Sequence, residues 1–190
     1  MVSPSGRPDR SAAADVPPDV GTALPAAAVT VEHMLSVSFI AARVRLMKLI
    51  NRGSLVPASV DAYACGLAKL AHRAPAGALS AAAEMIVRIS EPAVAAGVIV
   101  LPVRWHAIGT RGQLVRALSA DLILIEAEAD ATIVRLQGAF RLPFAIPGTG
   151  ADRDELPHRA ATASMSFLLD HVRQNLAGQP PGADPATAEA

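Results

Sequence analysis

Cysteine is almost absent from this chain, since Cys65 is the only one among 190 residues. A single cysteine cannot close an internal disulfide, so nothing in the sequence implies an oxidising compartment. Long apolar runs are also absent. The longest extends from Pro92 to Val103, whereas a membrane-spanning helix needs about 20 apolar residues. The N-terminus has no continuous apolar stretch of the secretory type. We therefore expect a cytoplasmic protein without a membrane span.

An excess of charge of either sign is lacking too. The 17 Lys and Arg side chains balance the 17 Asp and Glu side chains, and the formal net charge is zero. Proteins that coat DNA or RNA normally carry a basic excess. The composition therefore argues against a nucleic-acid partner.

The motifs of metal, phosphate and nucleophilic chemistry are missing. The 5 histidines include no H-x-H or H-x-x-x-H pair, and no Walker, G-x-G-x-x-G or G-x-S-x-G motif occurs. Cys65 lies between Ala64 and Gly66 in an apolar context, which favours a small buried hydrophobe over a nucleophile. We predict no metal, no cofactor and no catalytic residues.

The composition indicates one folded domain with two tails. Apolar residues make up 52% of the chain, which is ample for one core. Residues 1–28 and 177–190 are rich in Pro, Ala and Asp and show no periodicity. Such segments cannot bury enough apolar surface to offset the cost of ordering. We predict disordered tails there and a domain over 29–176.

The domain opens with one predicted strand and two short helices. Alternation predicts a strand over 29–39, and a period of about 3.6 predicts a helix over 40–50 that ends at Gly53. A second helix is predicted from the N-cap Ser59 to about His72. The positions predicted to be buried are Ile40, Val44 and Met47 in the first helix and Val60, Tyr63, Ala64, Leu67, Leu70 and Ala71 in the second.

Four further strands are predicted between Glu84 and Phe140, where the hydrophobic period changes to two. Turns are expected at 92–97, 109–112 and 127–130. Short turns between successive strands predict an antiparallel meander with one buried and one largely polar face. The buried face should include Leu101, Val103 and Trp105, then Leu114, Leu118, Ala120, Leu122 and Leu124, and finally Val134, Leu136 and Phe140.

A long amphipathic helix closes the domain, from about Asp154 to Leu176, with Pro157 in its first turn. Segregated helices and an antiparallel sheet predict an α+β fold in which this helix packs on the sheet. Its predicted buried positions are Ala161, Met165, Leu168, Val172 and Leu176, widened by Phe167 and Leu169.

The order of these elements resembles the helix-grip fold of the START-like (SRPBCC) superfamily, in which an antiparallel sheet wraps around a long C-terminal helix. The resemblance covers about residues 29–176. Similarity to a group of actinobacterial SRPBCC-like proteins is carried by VRWHAIG (103–109), LSADLILI (118–125), LQGAFRLP (136–143) and PHRAATASMSFLLDHV (157–172).

This resemblance implies a cavity between sheet and helix that holds a lipid- or polyketide-like molecule. We therefore expect a binding protein for a small apolar ligand. A cyclase or dehydratase of the same superfamily is the alternative, although the strands place no titratable group inward. A protein-interaction module with a filled core is a third possibility. The candidate cavity residues are Leu101, Val103, Trp105, Leu118, Leu122, Val134, Leu136, Phe140, Met165, Leu168 and Val172.

Two ionisable residues of the meander attract attention but have plain explanations. Asp121 lies within an apolar strand, yet its parity places it on the polar face near Arg135 or Gln137, which favours a cross-strand charge pair. His106 follows the inward-facing Trp105 and should therefore point towards solvent.

The polar face also carries an apolar patch of five β-branched residues. Pairing across the predicted turns places them next to one another at one end of the sheet. The N-terminal segment or the 59–72 helix could cover this patch. Otherwise we expect a protein interface, most simply a homodimer contact. The patch residues are Val98, Val100, Ile123, Ile125 and Ile133.

Overall fold

The computed structural model describes residues 26–74, 77–79, 84–109, 111–146 and 151–178, without the side chains of 151–154. Six strands and three helices occur within these residues. In chain order they are β1 Ala26–Leu35, α1 Phe39–Asn51, α2 Leu55–Ala68, β2 Met85–Ile89, β3 Ala93–Ala95, β4 Val98–Ile108, β5 Leu114–Glu128, β6 Ala131–Arg141 and α3 Ala151–Ala177.

The six strands form one antiparallel sheet in the order β1-β6-β5-β4-β2, and β3 also pairs with β4. The predicted α+β fold is confirmed, and the arrangement is consistent with a helix grip. β3 was not expected, because it occupies the predicted turn at 92–97. Gly97, with φ +69, allows a tight turn there, so that Ala95 pairs with Val98.

One β-bulge reverses the predicted direction of a side chain. The pairing of β4 with β5 shifts between Trp105 and His106, so that Trp105 lies opposite Leu118 but His106 lies opposite Arg116. The extra residue changes the alternation along β5. Leu114 is therefore exposed, and its predicted place on the buried face is wrong.

The predicted buried face of α1 is wrong. Ile40 and Val44 are exposed and Met47 is only half-buried, whereas Phe39, Ala42, Leu46 and Leu49 face the core. Both sets have helical spacing, so periodicity alone could not choose between them. Ser38 caps this helix by accepting a hydrogen bond from the amide of Ala41 at 3.5 Å.

α2 begins earlier than expected, after Ser54 rather than Ser59. Pro57 lies in its first turn, where its missing N–H needs no partner. Ser59 is consequently inside the helix and fully buried. Tyr63, Leu67 and Leu70 are buried as predicted, whereas Val60, Ala64 and Ala71 are exposed, contrary to prediction.

The long helix α3 fulfils most of its prediction. Its stripe is buried throughout, from Ala161 to Leu176, and Leu169 joins it, but Phe167 is 42% exposed. The helix begins at Ala151, so Pro157 lies in its second turn rather than its first. It packs against β1, β6 and α2. This packing places the core between the sheet and the three helices.

The first strand and the last helix extend slightly beyond residues 29–176. β1 begins at Ala26, where Ala26 pairs with Arg141, and α3 continues to Ala177. The rest of the predicted tails, residues 1–25 and 179–190, lies outside the described residues. Among the described helices, none is long and apolar enough to cross a membrane.

Candidate functional site

The predicted cavity residues are all buried and all belong to one core cluster. The sheet contributes its inner face and α3 its stripe, so residues far apart in sequence are in one region. The members are Leu101, Val103, Trp105, Leu118, Leu122, Val134, Leu136, Phe140, Met165, Leu168 and Val172. Burial alone does not separate a lined cavity from a filled core, because both use the same residue types.

An aromatic contact joins α2 to the inner face of the sheet. The ring of Tyr63 packs edge-on against Trp105, with centroids 6.0 Å apart and an interplanar angle of 72°. Phe140 of β6 lies on another side of Tyr63, at 6.2 Å. Such edge-on and tilted contacts are favourable for aromatic rings. These ring contacts therefore join α2 to the inner face of β4 and β6.

Seven buried side-chain polar atoms have no hydrogen-bond partner among the described residues, and four of them belong to fully or almost fully buried residues of α2, α3 and β4. These four are the hydroxyls of Ser59, Tyr63 and Ser164 and the indole N–H of Trp105. Ser59 and Tyr63 are four residues apart on α2 and therefore share a helix face. We call these four residues the inner polar row.

Ser164 of α3 lies directly against α2 at Gly66. Gly66 lies three residues beyond Tyr63 on α2, and a Cβ atom there would overlap the Ser164 hydroxyl and lie 2.7 Å from the carbonyl oxygen of Ala160. Only glycine permits α2 and α3 to approach so closely at this point. The Ser164 hydroxyl is thereby held beneath α2, about one turn from Tyr63.

Few polar residues are buried as a whole. Within the described part of the chain they are Ser59, Thr132 and Ser164 besides Tyr63 and Trp105, whereas Arg141, His106 and His171 bury single ring or guanidinium nitrogens and are half-buried overall. Burial raises the pKa of Tyr63 above its ordinary value, so the phenol remains protonated. Trp105 can only donate a hydrogen bond, whereas hydroxyls donate and accept. The row therefore suits a neutral group that accepts hydrogen bonds.

The outer face of the sheet carries the ion pair expected for Asp121, but with a different partner. Asp121 lies opposite Gln137, as one of the two predicted neighbours, while its carboxylate is 3.4 Å from the Arg104 guanidinium. Arg135 instead pairs with Glu32 at 2.8 Å. Arg104 and Asp121 line a surface cavity of about 410 Å³ together with Ser119 and Gln137.

His106 lies on the same outer face, as predicted, and is half-buried. It is opposite Ile86 on one side and Arg116 on the other. Partial burial and then the positive charges of Arg88 and Arg116 lower the pKa of His106 below its ordinary value. The imidazole is therefore held in its neutral form over a wider pH range.

The predicted pairing of the outer apolar patch is confirmed. Val100 lies opposite Ile123, Val98 lies opposite Ile125, and Ile125 also lies opposite Ile133. Ile123 is buried, and the other four are half-buried. The helix α2 does not cover them, since it packs against α3 and β2 and buries its face in the core. Of the two intramolecular covers considered for this patch, the 59–72 helix is therefore excluded.

Within the described residues, no group of three or more His, Cys, Asp or Glu side chains could hold a metal ion. Cys65 lies on α2 and is only half-buried, which is less than expected for a small core residue.

The sequence analysis assigned no functional role to three members of the inner polar row, although it placed Tyr63 on the buried stripe of its helix. Inward parity was tested only along strands, whereas Ser59, Tyr63 and Ser164 are on helices. A usable signal exists in retrospect: Ser59 precedes the only tyrosine by four residues, and Ser164 adjoins Met165 of the predicted stripe.

No protein-family model and no curated protein matches the chain. Among solved structures, the chain is similar to the Zhui aromatase/cyclase from Streptomyces sp. R1128. The two are 11% identical, the match covers 83% of this chain and 99% of that chain, and the TM-score is 0.28.

Proposed function

We propose that this chain binds a small, neutral and largely apolar molecule in its interior, between the sheet, α2 and α3. The observation that carries the proposal is the inner polar row. A buried hydroxyl or N–H without a partner costs about 1–3 kcal/mol, and folded proteins leave few such groups unpaired. Four such groups on the core-facing sides of α2, α3 and β4, two of them on the rings of Tyr63 and Trp105 that are in contact, support a role in holding a ligand.

The chemistry of the row limits the ligand. The Trp105 N–H requires an acceptor such as a carbonyl, ether or hydroxyl oxygen. No Asp, Glu, Lys or Arg side chain is buried as a whole among the described residues, so a charged ligand would lack a fully buried counter-ion, and burying an unpaired charge is very costly. Aliphatic and aromatic side chains supply the remaining contacts. A neutral aromatic ketone meets all three requirements.

A cyclase- or dehydratase-type enzyme is the second candidate, favoured by Tyr63. Such an enzyme needs at least one titratable group that points inward, and Tyr63 on α2 is one. Its raised pKa keeps the phenol protonated, so it can donate a hydrogen bond to a substrate carbonyl but is a weak acid for transferring the proton. In this reading Tyr63 polarises that carbonyl, and Ser59, Ser164 and Trp105 orient it.

The test uses two molecules of similar shape, anthraquinone and anthracene, which differ in the presence of carbonyl acceptors. Trp105 is the only tryptophan, so its fluorescence reports directly on the site. We expect anthraquinone to quench Trp105 with an affinity at least tenfold above that of anthracene. The Tyr63→Phe variant should reduce this difference, and Phe167→Leu, an exposed position on α3, is the matched control.

Each other outcome has a definite meaning. If neither molecule binds and native mass spectrometry of the purified chain finds no copurified ligand, the interior is a filled core and the third reading, an interaction module, replaces the proposal. If both bind equally, the row does not recognise acceptors. Turnover of a bound ketone that Tyr63→Phe abolishes would favour the enzyme over the binding protein.

A further inference from the structure

The helix α1 presents an apolar face to solvent. Ile40, Val44 and Met47 recur with Arg43 and Lys48 at the spacing of one helix face, opposite the residues that α1 buries in the core. Ile40 is 75% exposed and Val44 is 49% exposed. We call these five residues the outward face of α1. Apolar side chains gathered on an exposed helix face commonly mark an interaction surface.

This face is positively charged without local compensation. Residues 33–60 contain four cationic side chains, Arg43, Arg45, Lys48 and Arg52, and no Asp or Glu. In the portions of the chain that the structure describes, Arg43, Lys48 and Arg52 form no ion pair with an acidic side chain. The outward face of α1 and its C-terminal end therefore attract anions.

A small cavity lies at the C-terminal end of the helix, beside the outward face. It measures about 130 Å³ and is lined by Arg45, Lys48, Leu49, Arg52, Ser54 and Asn175. The Arg45 guanidinium is already engaged, because it donates to the carbonyls of Leu176 and Ala177 at the end of α3. Lys48, Arg52 and Ser54 remain as donors around the cavity. Two cations and a hydroxyl are well suited to a phosphate ester.

We propose that the outward face of α1 and the adjoining basic cavity dock the protein on the surface of an anionic phospholipid membrane. The cavity would hold a lipid phosphate while Ile40 and Val44 enter the boundary between headgroups and acyl chains. A helix that combines exposed aliphatic and basic side chains has this preference. A second copy of the chain is a poor occupant, because two cationic faces repel each other. The inference does not depend on the interior ligand.

The full chain is tested by flotation with two kinds of vesicle, phosphatidylcholine alone and equal parts of phosphatidylcholine and phosphatidylglycerol. We expect binding to the anionic vesicles only, and weaker binding as salt is raised. Glycerophosphoglycerol, the water-soluble headgroup, is a competitor. If it saturates the protein and the vesicles bind no more tightly than this soluble ester, the cavity is a phosphate-ester site and the membrane proposal is overturned.

Two pairs of substitutions assign the binding to α1. Lys48→Gln with Arg52→Gln should weaken binding about 30-fold, since each cation near an anionic surface contributes about 1 kcal/mol. Ile40→Ser with Val44→Ser should abolish the part of binding that survives high salt. The matched controls, Arg111→Gln with Arg116→Gln and Val60→Ser with Ile86→Ser, change exposed residues outside α1.

The proposal is wrong if neutral vesicles bind as well as anionic ones, if no vesicle binds, or if the control pairs weaken binding as much as the α1 pairs. It is also wrong if the protein without lipid sediments as a dimer that Ile40→Ser dissociates, because the face would then be a contact between copies. All of these positions are exposed, so we expect each variant to remain folded. Circular dichroism checks this.

Discussion

The ring of Tyr63 meets Trp105 edge-on at 6.0 Å, and neither the phenol hydroxyl nor the indole N–H is bonded to a described residue. The two rings contribute packing between α2 and β4, while their polar atoms contribute nothing within the described chain. An arrangement selected for stability alone would favour Phe at position 63. In the proposed function, a bound ligand supplies the partner that these two polar atoms lack among the described residues.

The first prediction separates the packing of the Tyr63 ring from the role of its hydroxyl. Tyr63→Phe should raise the free energy of unfolding by about 1 kcal/mol, because it removes a buried hydroxyl that has no partner and keeps the ring. The same substitution should weaken binding of anthraquinone. Urea denaturation and Trp105 fluorescence measure the two effects. A loss of more than about 1 kcal/mol in stability would mean that the hydroxyl is bonded in the folded protein.

The second prediction concerns alkaline pH. The pKa of Tyr63 is raised in the folded chain above its ordinary value of 10.0, so the unfolded chain releases this proton first. The contribution of Tyr63 to stability is thus complete below pH 10.0 and is lost as pH rises above it. Denaturation on both sides of that pH should show a loss in the wild type that is smaller in Tyr63→Phe, where no phenol ionises.

The third prediction compares two neighbours on α3. Leu168 is 2% exposed, and Leu168→Ala should cost about 2–5 kcal/mol through lost burial and the cavity left behind. Phe167→Ala removes a larger side chain that is 42% exposed and does not belong to the core cluster, and it should cost less than Leu168→Ala. Equal costs in urea denaturation would contradict the packing of α3 on the sheet.

Periodicity predicted the parts of the fold that bury one face against one partner. The stripe of α3 and the inner faces of β4 and β6 follow this rule, and both were found where expected. The rule fails for α1, which carries aliphatic residues on two faces. Sequence spacing cannot indicate which face meets the core, because that depends on where β5, β6 and α3 lie.

The candidate site was predicted in part for a similar reason. Trp105 could be placed inward by strand parity, whereas Tyr63 was only one member of a helical stripe. The approach of α2 to α3 at Gly66 brings Ser164 beneath the same helix face, and nothing local in the sequence announces that contact. Polar residues inside helices become visible as a group only once the helices are packed.

The fourth prediction concerns acid pH and His106. Its pKa should lie below the ordinary 6.5 in an NMR titration, and Arg116→Gln should raise it by removing one positive charge. The unfolded chain binds the His106 proton more readily than the folded chain. The contribution of neutral His106 to the free energy of unfolding is therefore complete above pH 6.5, and it is lost as pH falls through the lower pKa of the folded chain. Arg111→Gln is the matched control, and an equal rise in that variant would contradict the assigned cause.

The fifth prediction concerns the outer apolar patch, which α2 leaves uncovered. Val98, Val100 and Ile133 surround Ile123 and Ile125 through the observed pairing, so the patch is continuous across three strands. An uncharged surface of this kind can contact its own copy across a two-fold axis. If it does, replacing Ile123 and Ile125 by Thr should convert a dimer into a monomer in sedimentation, because Thr keeps β-branching but adds a hydroxyl to the contact.

The control is Leu114→Thr, an exposed position outside the patch, which should leave the dimer intact. A wild-type monomer would rule out the interface, and protection of the patch by residues 1–25 would then be tested by their removal.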